Sequence, residues 1–166
     1  MAFRMVPRVD TRKLEQSISD TMGRMTDLSG AWDVVGEVVL GAVEDRFQAQ
    51  GEPTGWPGLK DGTKEGRRVG SAAARAAGKG PQMLQDTGRL KSSITAEKGS
   101  GYYEERSSDE LVIGTNVVYA AIHNFGGQAG RNRATTIPQR EFTNMLPEDV
   151  DEIAATIDDY IKQGWK

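Results

Sequence analysis

Apolar residues recur along the chain at helical steps in three long stretches, and this rhythm divides it into elements. Leu14, Ile18, Met22, Met25 and Leu28 follow at steps of four, four, three and three, one stripe of an amphipathic helix. Asp10 or Thr11 stands where a side-chain oxygen can cap it. Such a methionine-bearing face suits either an ordinary core contact or docking on a partner. Ser29-Gly30 interrupts the pattern, and Ser29 is placed to cap a second helix running to Gln50, with Trp32, Val35, Val39, Ala42 or Val43, and Phe47 on its inward face. Gly51 is a natural stop. Near the far end Pro147 suits a first helical turn, and Val150, Ile153, Ile157, Tyr160 or Ile161, and Trp165 form a third stripe.

Between the helices the pattern changes. Met83 to Ile94 predicts a short helix capped by Asp86 or Thr87, with Leu90 and Ile94 facing inward and Leu84 packing across its start. Ser93 to Lys98 leads into a strand, Gly99-Ser100-Gly101 turns, Tyr102-Tyr103 begins another strand, Ser107-Ser108-Asp109 turns again and Glu110 to Gly114 returns, a small antiparallel meander. Gly114 and Asn116 mark the turn that ends it. From Val117 the spacing becomes helical again, and Val118, Ala121, Ile122 and Phe125 predict a short buried helix stopped by a left-handed Gly126. An exposed loop follows, then Ile137-Pro138 returns the chain to the core.

These elements predict an α+β fold, with N-terminal and C-terminal amphipathic helices packed on a small antiparallel sheet. Residues 1–28 read as a helical extension and 29–166 as the α+β domain, with a flexible basic loop at 51–80. In that loop Trp56 and Leu59 are large enough to anchor it, each stabilising by about 2–3 kcal/mol if buried. Ser71 to Ala77 is alanine-rich enough to become helical.

Composition changes this picture in two ways. With 166 residues, 20 of them glycine, and only 7% aromatic residues, a compact core coexists with long surface segments. The formal net charge of −3 argues against wholesale nucleic-acid binding, but the charge is segregated. Lys60, Lys64, Arg67, Arg68, Arg75, Lys79, Arg89 and Lys91 face only three acids, whereas Glu141, Glu148, Asp149, Asp151, Glu152, Asp158 and Asp159 face only two lysines. Opposite segments of this kind either pair neighbouring copies head to tail or form two solvated faces. A nucleic-acid-binding module using residues 60–91 is the competing interpretation, disfavoured because no stacking aromatics interleave with the charges apart from nearby Trp56.

Candidate chemistry is sparse. The chain has no cysteine, which removes disulfides, cysteine-zinc sites and thiol catalysis. Its single histidine, His123, has no thiol to activate, no serine sits in a nucleophile elbow, and Gly78-Lys79-Gly80 lacks the context of a phosphate loop. No enzyme, cofactor or metal is therefore expected. His123 reads as structural, its imidazole holding the turn at Phe125-Gly126 while Tyr119 packs one helical turn behind. Arg140, after Pro138, is placed to carry its guanidinium to unpaired carbonyls or a carboxylate, the alternative being a plain surface arginine. No apolar run at the amino end has the length of a signal peptide and none spans a bilayer, so no membrane contact and a cytosolic site of synthesis are expected.

Several of these residues fall into an ordered series of short motifs. Leu84-x-x-Thr87-Gly88-x-Leu90-x-x-Ser93, then Ile113-Gly114, Tyr119-Ala120-x-Ile122-His123, Phe125-Gly126 and Ile137-Pro138-x-Arg140-x-Phe142 resemble the bacteriophage virion morphogenesis family, also described as tail completion protein S-like. Trp56 and Leu59, after a helix ending near Phe47, resemble its upstream region; Asn124 and Gln139 depart from it, standing where glutamine and alanine are expected. The resemblance spans roughly 39–146. It implies an α+β assembly protein without catalysis, acting in the neck or tail of a phage particle. There it completes the head-proximal end of the tail as a ring of copies, a hexamer among the options. Neighbours would be the tail tube or tail terminator and the head connector, with non-specific DNA contact in the channel or a head-tail adaptor role as variants.

Overall fold

The computed structural model describes residues 11–64, 82–96 and 99–164. In chain order it contains α1 (Arg12–Thr26), a 3-10 turn (Ser29–Ala31), α2 (Trp32–Gln48), α3 (Arg89–Thr95), β1 (Tyr102–Arg106), β2 (Leu111–Thr115), α4 (Ala120–Phe125), β3 (Gly127–Ala129), β4 (Thr135–Ile137) and α5 (Pro147–Lys162). The architecture is α+β. The expected single meander is instead two separate antiparallel hairpins, β1–β2 and β3–β4. In the first, Tyr102 pairs with Thr115 and Arg106 with Leu111, so Gly114 lies inside the ladder opposite Tyr103 rather than at a turn. Ser93 to Thr95 belong to α3, not to a strand. Ser93 is fully buried there, its hydroxyl bonded to the Leu90 carbonyl and within 2.8 Å of the Thr115 hydroxyl, contacts that hold it in the helix beside β2.

Helix α2 is the axis of the molecule because its two ends enter different apolar clusters. At its start Ala31, Trp32 and Val35 pack with Leu28, Val39, Leu111, Ile153, Ile157 and Tyr160, joining the first hairpin and α5. The Trp32 indole also donates to the Ser107 carbonyl at 2.7 Å. Towards its end Val43 and Phe47 pack with Trp56, Leu84, Leu90, Ile94, Val117, Ala120 and Phe142. The Phe47 ring meets Trp56 edge-on at 5.6 Å and Phe142 at 5.4 Å, and burying rings of this size contributes about 2–3 kcal/mol each. Gly51, at φ 87, lets the chain double back so tightly that an added Cβ would lie 2.3 Å from the Trp56 ring.

Capping differs from the expected assignments. Thr11 bonds Glu15 instead of the backbone, Asp10 lies outside the described residues, and Ser29 sits in the 3-10 turn with its N–H donated to the Asp27 carboxylate. Thr87 accepts from the Arg89 N–H at 3.4 Å, ahead of a left-handed Gly88. At α5, Pro147 occupies the first turn and the Asp149 carboxylate accepts the Leu146 N–H at 2.7 Å. Gly126 has the positive φ expected of it but an extended ψ of 178°, so α4 runs straight into β3.

Three apolar stripes turn out differently from their spacing. On α1, Leu14, Ile18, Met22 and Met25 face solvent, because the helix packs on α5 by its small and polar side instead. Ser17 is buried, the Arg24 guanidinium lies 4.6 Å over the Tyr160 ring and donates to the Tyr160 carbonyl, and Gly164 approaches the Thr21 backbone closely enough to exclude a Cβ. On α4 the buried positions are Ala120 and Asn124, together with Val117 just before the helix, whereas Val118 is 96% and Phe125 70% exposed. The predicted inward face is therefore the outward one. On α5, Ile153, Ile157 and Tyr160 reach the core as expected, Val150 is exposed, and Trp165 lies outside the described residues.

Candidate functional site

The segment 137–149 is stapled to the rest of the chain by three polar side chains. Arg140, 6% exposed, donates from Nε to the Pro57 carbonyl at 2.8 Å and from Nη2 to the Gly58 carbonyl at 3.1 Å, while its own N–H donates to the His123 carbonyl at 2.8 Å. This tie to α4 runs through the backbone of His123. Asn124, buried on the inner face of α4, accepts from the Phe142 N–H at 3.0 Å and from the Thr143 hydroxyl. Arg46, buried near the end of α2, donates to the carbonyls of Glu52 and Asn144 and pairs with Asp149 at 3.4 Å. The Trp56 indole adds a bond to the Glu141 carbonyl at 3.0 Å. A chain excursion with no regular structure at 51–58 is thus held on both sides by charge-assisted hydrogen bonds, which are stronger than neutral ones.

Arg46 was not singled out from the sequence, and Asn124 was noted only as a departure from the family pattern, although each had a signal for a buried role. Arg46 lies three residues after Val43 and four after Ala42, inside the buried stripe of α2. Asn124 completes the spacing Val117, Ala120, Asn124, which competes with the more apolar pattern of Val118, Ala121, Ile122 and Phe125.

The remaining candidates are placed as follows. The Tyr119 and His123 rings meet edge-on at 5.9 Å, but Tyr119 is exposed rather than directed into the core. Both line an open groove of about 320 Å³ shared with Leu84, Asp86, Thr87, Arg89 and Leu90. Leu90 reaches the core below it, while Leu59 and Pro138 are half-buried outside the main cluster. Gly126 is required by close approach, since a Cβ there would come within 2.9 Å of the Gln139 nitrogen.

Among the charged candidates, Glu148, Asp151 and Glu152 are exposed on α5, whereas Asp149 is taken up by Arg46 and the α5 cap. Lys64 is exposed and pairs with Asp61. Arg67, Arg68, Arg75 and Lys79, and the helix expected at 71–77, lie outside the described residues. Lys91 bonds Glu44 at 2.7 Å and thereby holds the Glu44 carboxyl below its usual range. Glu104 is likewise lowered, first by the Tyr102 hydroxyl and then by Arg106, which also bridges to Asp33. These perturbed groups sit on the hairpin surface and the outer side of α2, apart from the groove at Tyr119 and His123. Among the described residues no three of His, Asp and Glu come together in a way that could hold a metal ion, and no helix is long and apolar enough to cross a membrane.

The chain belongs to the phage virion morphogenesis family, whose model matches residues 9–162. This is a family of phage structural and assembly proteins, not a known class of enzymes. Among curated proteins, the "Mu-like prophage FluMu G protein 2" of Haemophilus influenzae (strain ATCC 51907 / DSM 11121 / KW20 / Rd) is 43% identical over 79 residues, which cover 48% of this chain and 51% of that protein. The match thus spans about half the length of that relative. No solved structure matches the chain.

Proposed function

We propose that the protein completes the head-proximal end of a phage tail and readies it for joining to the head, with several copies closed into a ring. The observation that carries this is the family match over nearly the whole chain, and the outward apolar stripes of α1 and α4 support it. Heterologous contact, in which one patch meets a different patch on the next copy, closes into a ring where the rotation between copies permits. The ring's neighbours are the tail tube or tail terminator on one side and the head connector on the other, and its place is in the virion.

The test is a phage carrying a stop codon early in this gene. Unjoined filled heads and separate tails should accumulate, and adding the purified protein to the lysate should restore infectious particles. Normal head-tail joining in that mutant would overturn the proposal. Gel shift at low salt separates it from the nucleic-acid interpretation: salt-sensitive DNA binding by the purified chain, with joining intact, would favour the latter.

A further inference from the structure

We infer that the β3–β4 hairpin is an arm that holds the phosphates of double-stranded nucleic acid through Arg131 and Arg133 at its tip. This goes beyond the tail-completion reading and stands without it. No aspartate or glutamate occurs from Leu111 to Arg140, although the chain carries 24 acids elsewhere. The charged side chains of that long stretch are Arg131, Arg133 and Arg140 alone.

The fold leaves the arm in solvent and holds it by its base. From Gly127 to Thr136 every residue but Ala129 is exposed, the two strands pair only with each other, and no residue of the arm belongs to either apolar cluster. A two-stranded hairpin of this kind is marginal in water without outside support. The support is the staple described above: Gly126 passes closely over the Gln139 backbone, and Arg140 ties the outgoing strand to the His123 carbonyl and to the carbonyls of Pro57 and Gly58. Direction is thereby fixed at the base while the tip stays free. Arg24, Arg46, Arg106 and Arg140 are each engaged by a ring, a carboxylate or backbone carbonyls. Among the described residues none offers the Arg131 or Arg133 side chain a hydrogen bond or an ion pair.

The phosphates of a duplex suit this arm better than an acidic protein surface does. Protein interfaces are built round an apolar core, and the arm's one large apolar residue is the half-buried Ile137 at its base. The arginines are flanked instead by exposed Gln128, Asn132, Thr135 and Thr136. Neutral donors among guanidiniums are the residue types that contact phosphate oxygens, and a two-stranded ribbon has a width that the major groove admits. With no aromatic ring on the arm to stack on bases, a duplex is favoured over a single strand. A formal net charge of −3 sets the molecule as a whole against a polyanion, so contact falls to a projecting element rather than to a broad face.

The test measures binding of the full-length protein to a short fluorescent DNA duplex of mixed sequence, by anisotropy, from about 20 to about 200 mM salt. Wild-type binding should weaken as salt rises. Arg131→Gln combined with Arg133→Gly removes both cations, and glycine suits the backbone at 133, where φ is 54°, so the melting temperature should not change. This variant should bind about ten-fold more weakly at the lowest salt, with the slope of log affinity against log salt shallower by about 2. Lys60→Gln combined with Lys64→Gln makes the same change in net charge at exposed positions outside the arm, and should stay within about two-fold of the wild type. An equal loss in the lysine variant would overturn the inference in favour of general charge. Full binding by the arm variant would overturn it by placing the contact elsewhere in the chain. Absence of wild-type binding at the lowest salt would also overturn it, and retention on immobilised polyglutamate, lost in the arm variant, would then identify an acidic protein surface as the partner. Head-tail joining that does not need this gene would remove the tail-completion reading and leave the arm's binding standing, whereas joining that needs the gene while its product binds no DNA would do the reverse.

Discussion

Helices α1 and α2 are adjacent in the chain and both carry a continuous apolar stripe, yet α2 buries its stripe in two clusters while α1 holds its own in water. The difference lies in what stands opposite. The face of α2 meets large apolar side chains from several other parts of the chain, including Trp56, Phe142, Ile153 and Ile157, and each burial adds to one of the two clusters. On α1 the stabilising contacts are made by Ser17, Thr21 and Arg24, where small groups and glycine let α5 approach closely and a guanidinium covers Tyr160. An apolar stripe guarantees that something gains by covering it. It does not say that the covering group belongs to the same chain.

Substitutions can break or sharpen this contrast, beginning with the strongest. Phe47→Ala, in the α2 stripe, should destabilise the monomer by about 3–5 kcal/mol through lost transfer energy and the cavity beside Trp56 and Phe142, read as a lower urea midpoint. Arg46→Ala should cost about 3 kcal/mol, because it leaves Asp149 and the carbonyls of Glu52 and Asn144 without their donor; a double-mutant cycle with Asp149→Asn should show strong coupling. Arg140→Ala should cost about 2 kcal/mol through the loss of charged hydrogen bonds to the 57–58 carbonyls, with amide exchange there rising more than in α1.

Weaker effects come from the surface. Lys91→Ala should lower stability by less than about 1 kcal/mol, as for exposed ion pairs generally. Because Lys91 depresses the folded-state pKa of Glu44, the pair's contribution is present above the unfolded carboxyl value and disappears as pH falls through the lower folded value. The wild-type and variant urea midpoints should therefore converge in acid. Met22→Ser on α1 should change monomer stability by no more than about 0.5 kcal/mol. A loss as large as that from Phe47→Ala would show that the α1 stripe is buried after all, and the contrast between the two helices would collapse.

The same comparison shows where reading residues succeeds. The inward face of α2, the first turn of α5 and the anchoring of residue 56 are all legible, since in each case one apolar pattern or one large residue has a single good solution. Residues 117–125 were misread because two patterns overlap there. Val118, Ala121, Ile122 and Phe125 are the more apolar set, but Val117, Ala120 and Asn124 fit against Phe142 and Leu90, and the polar member satisfies a backbone N–H that would otherwise be buried without a partner. Arg140 was legible as a donor to carbonyls, though not which ones. Asp149 looked like one acid among several on α5, and only its position opposite Arg46 distinguishes it from Glu148, Asp151 and Glu152.

Local chemistry, then, set the helix stripes, the glycine stops at 51 and 126 and the hairpin at 102–115, because these depend on neighbours a few positions away. Which stripe enters the core, which acid pairs inside and which apolar faces remain outside were decided by long-range packing. That choice is a competition between surfaces brought together from distant parts of the chain, and spacing along one helix carries no information about its rivals.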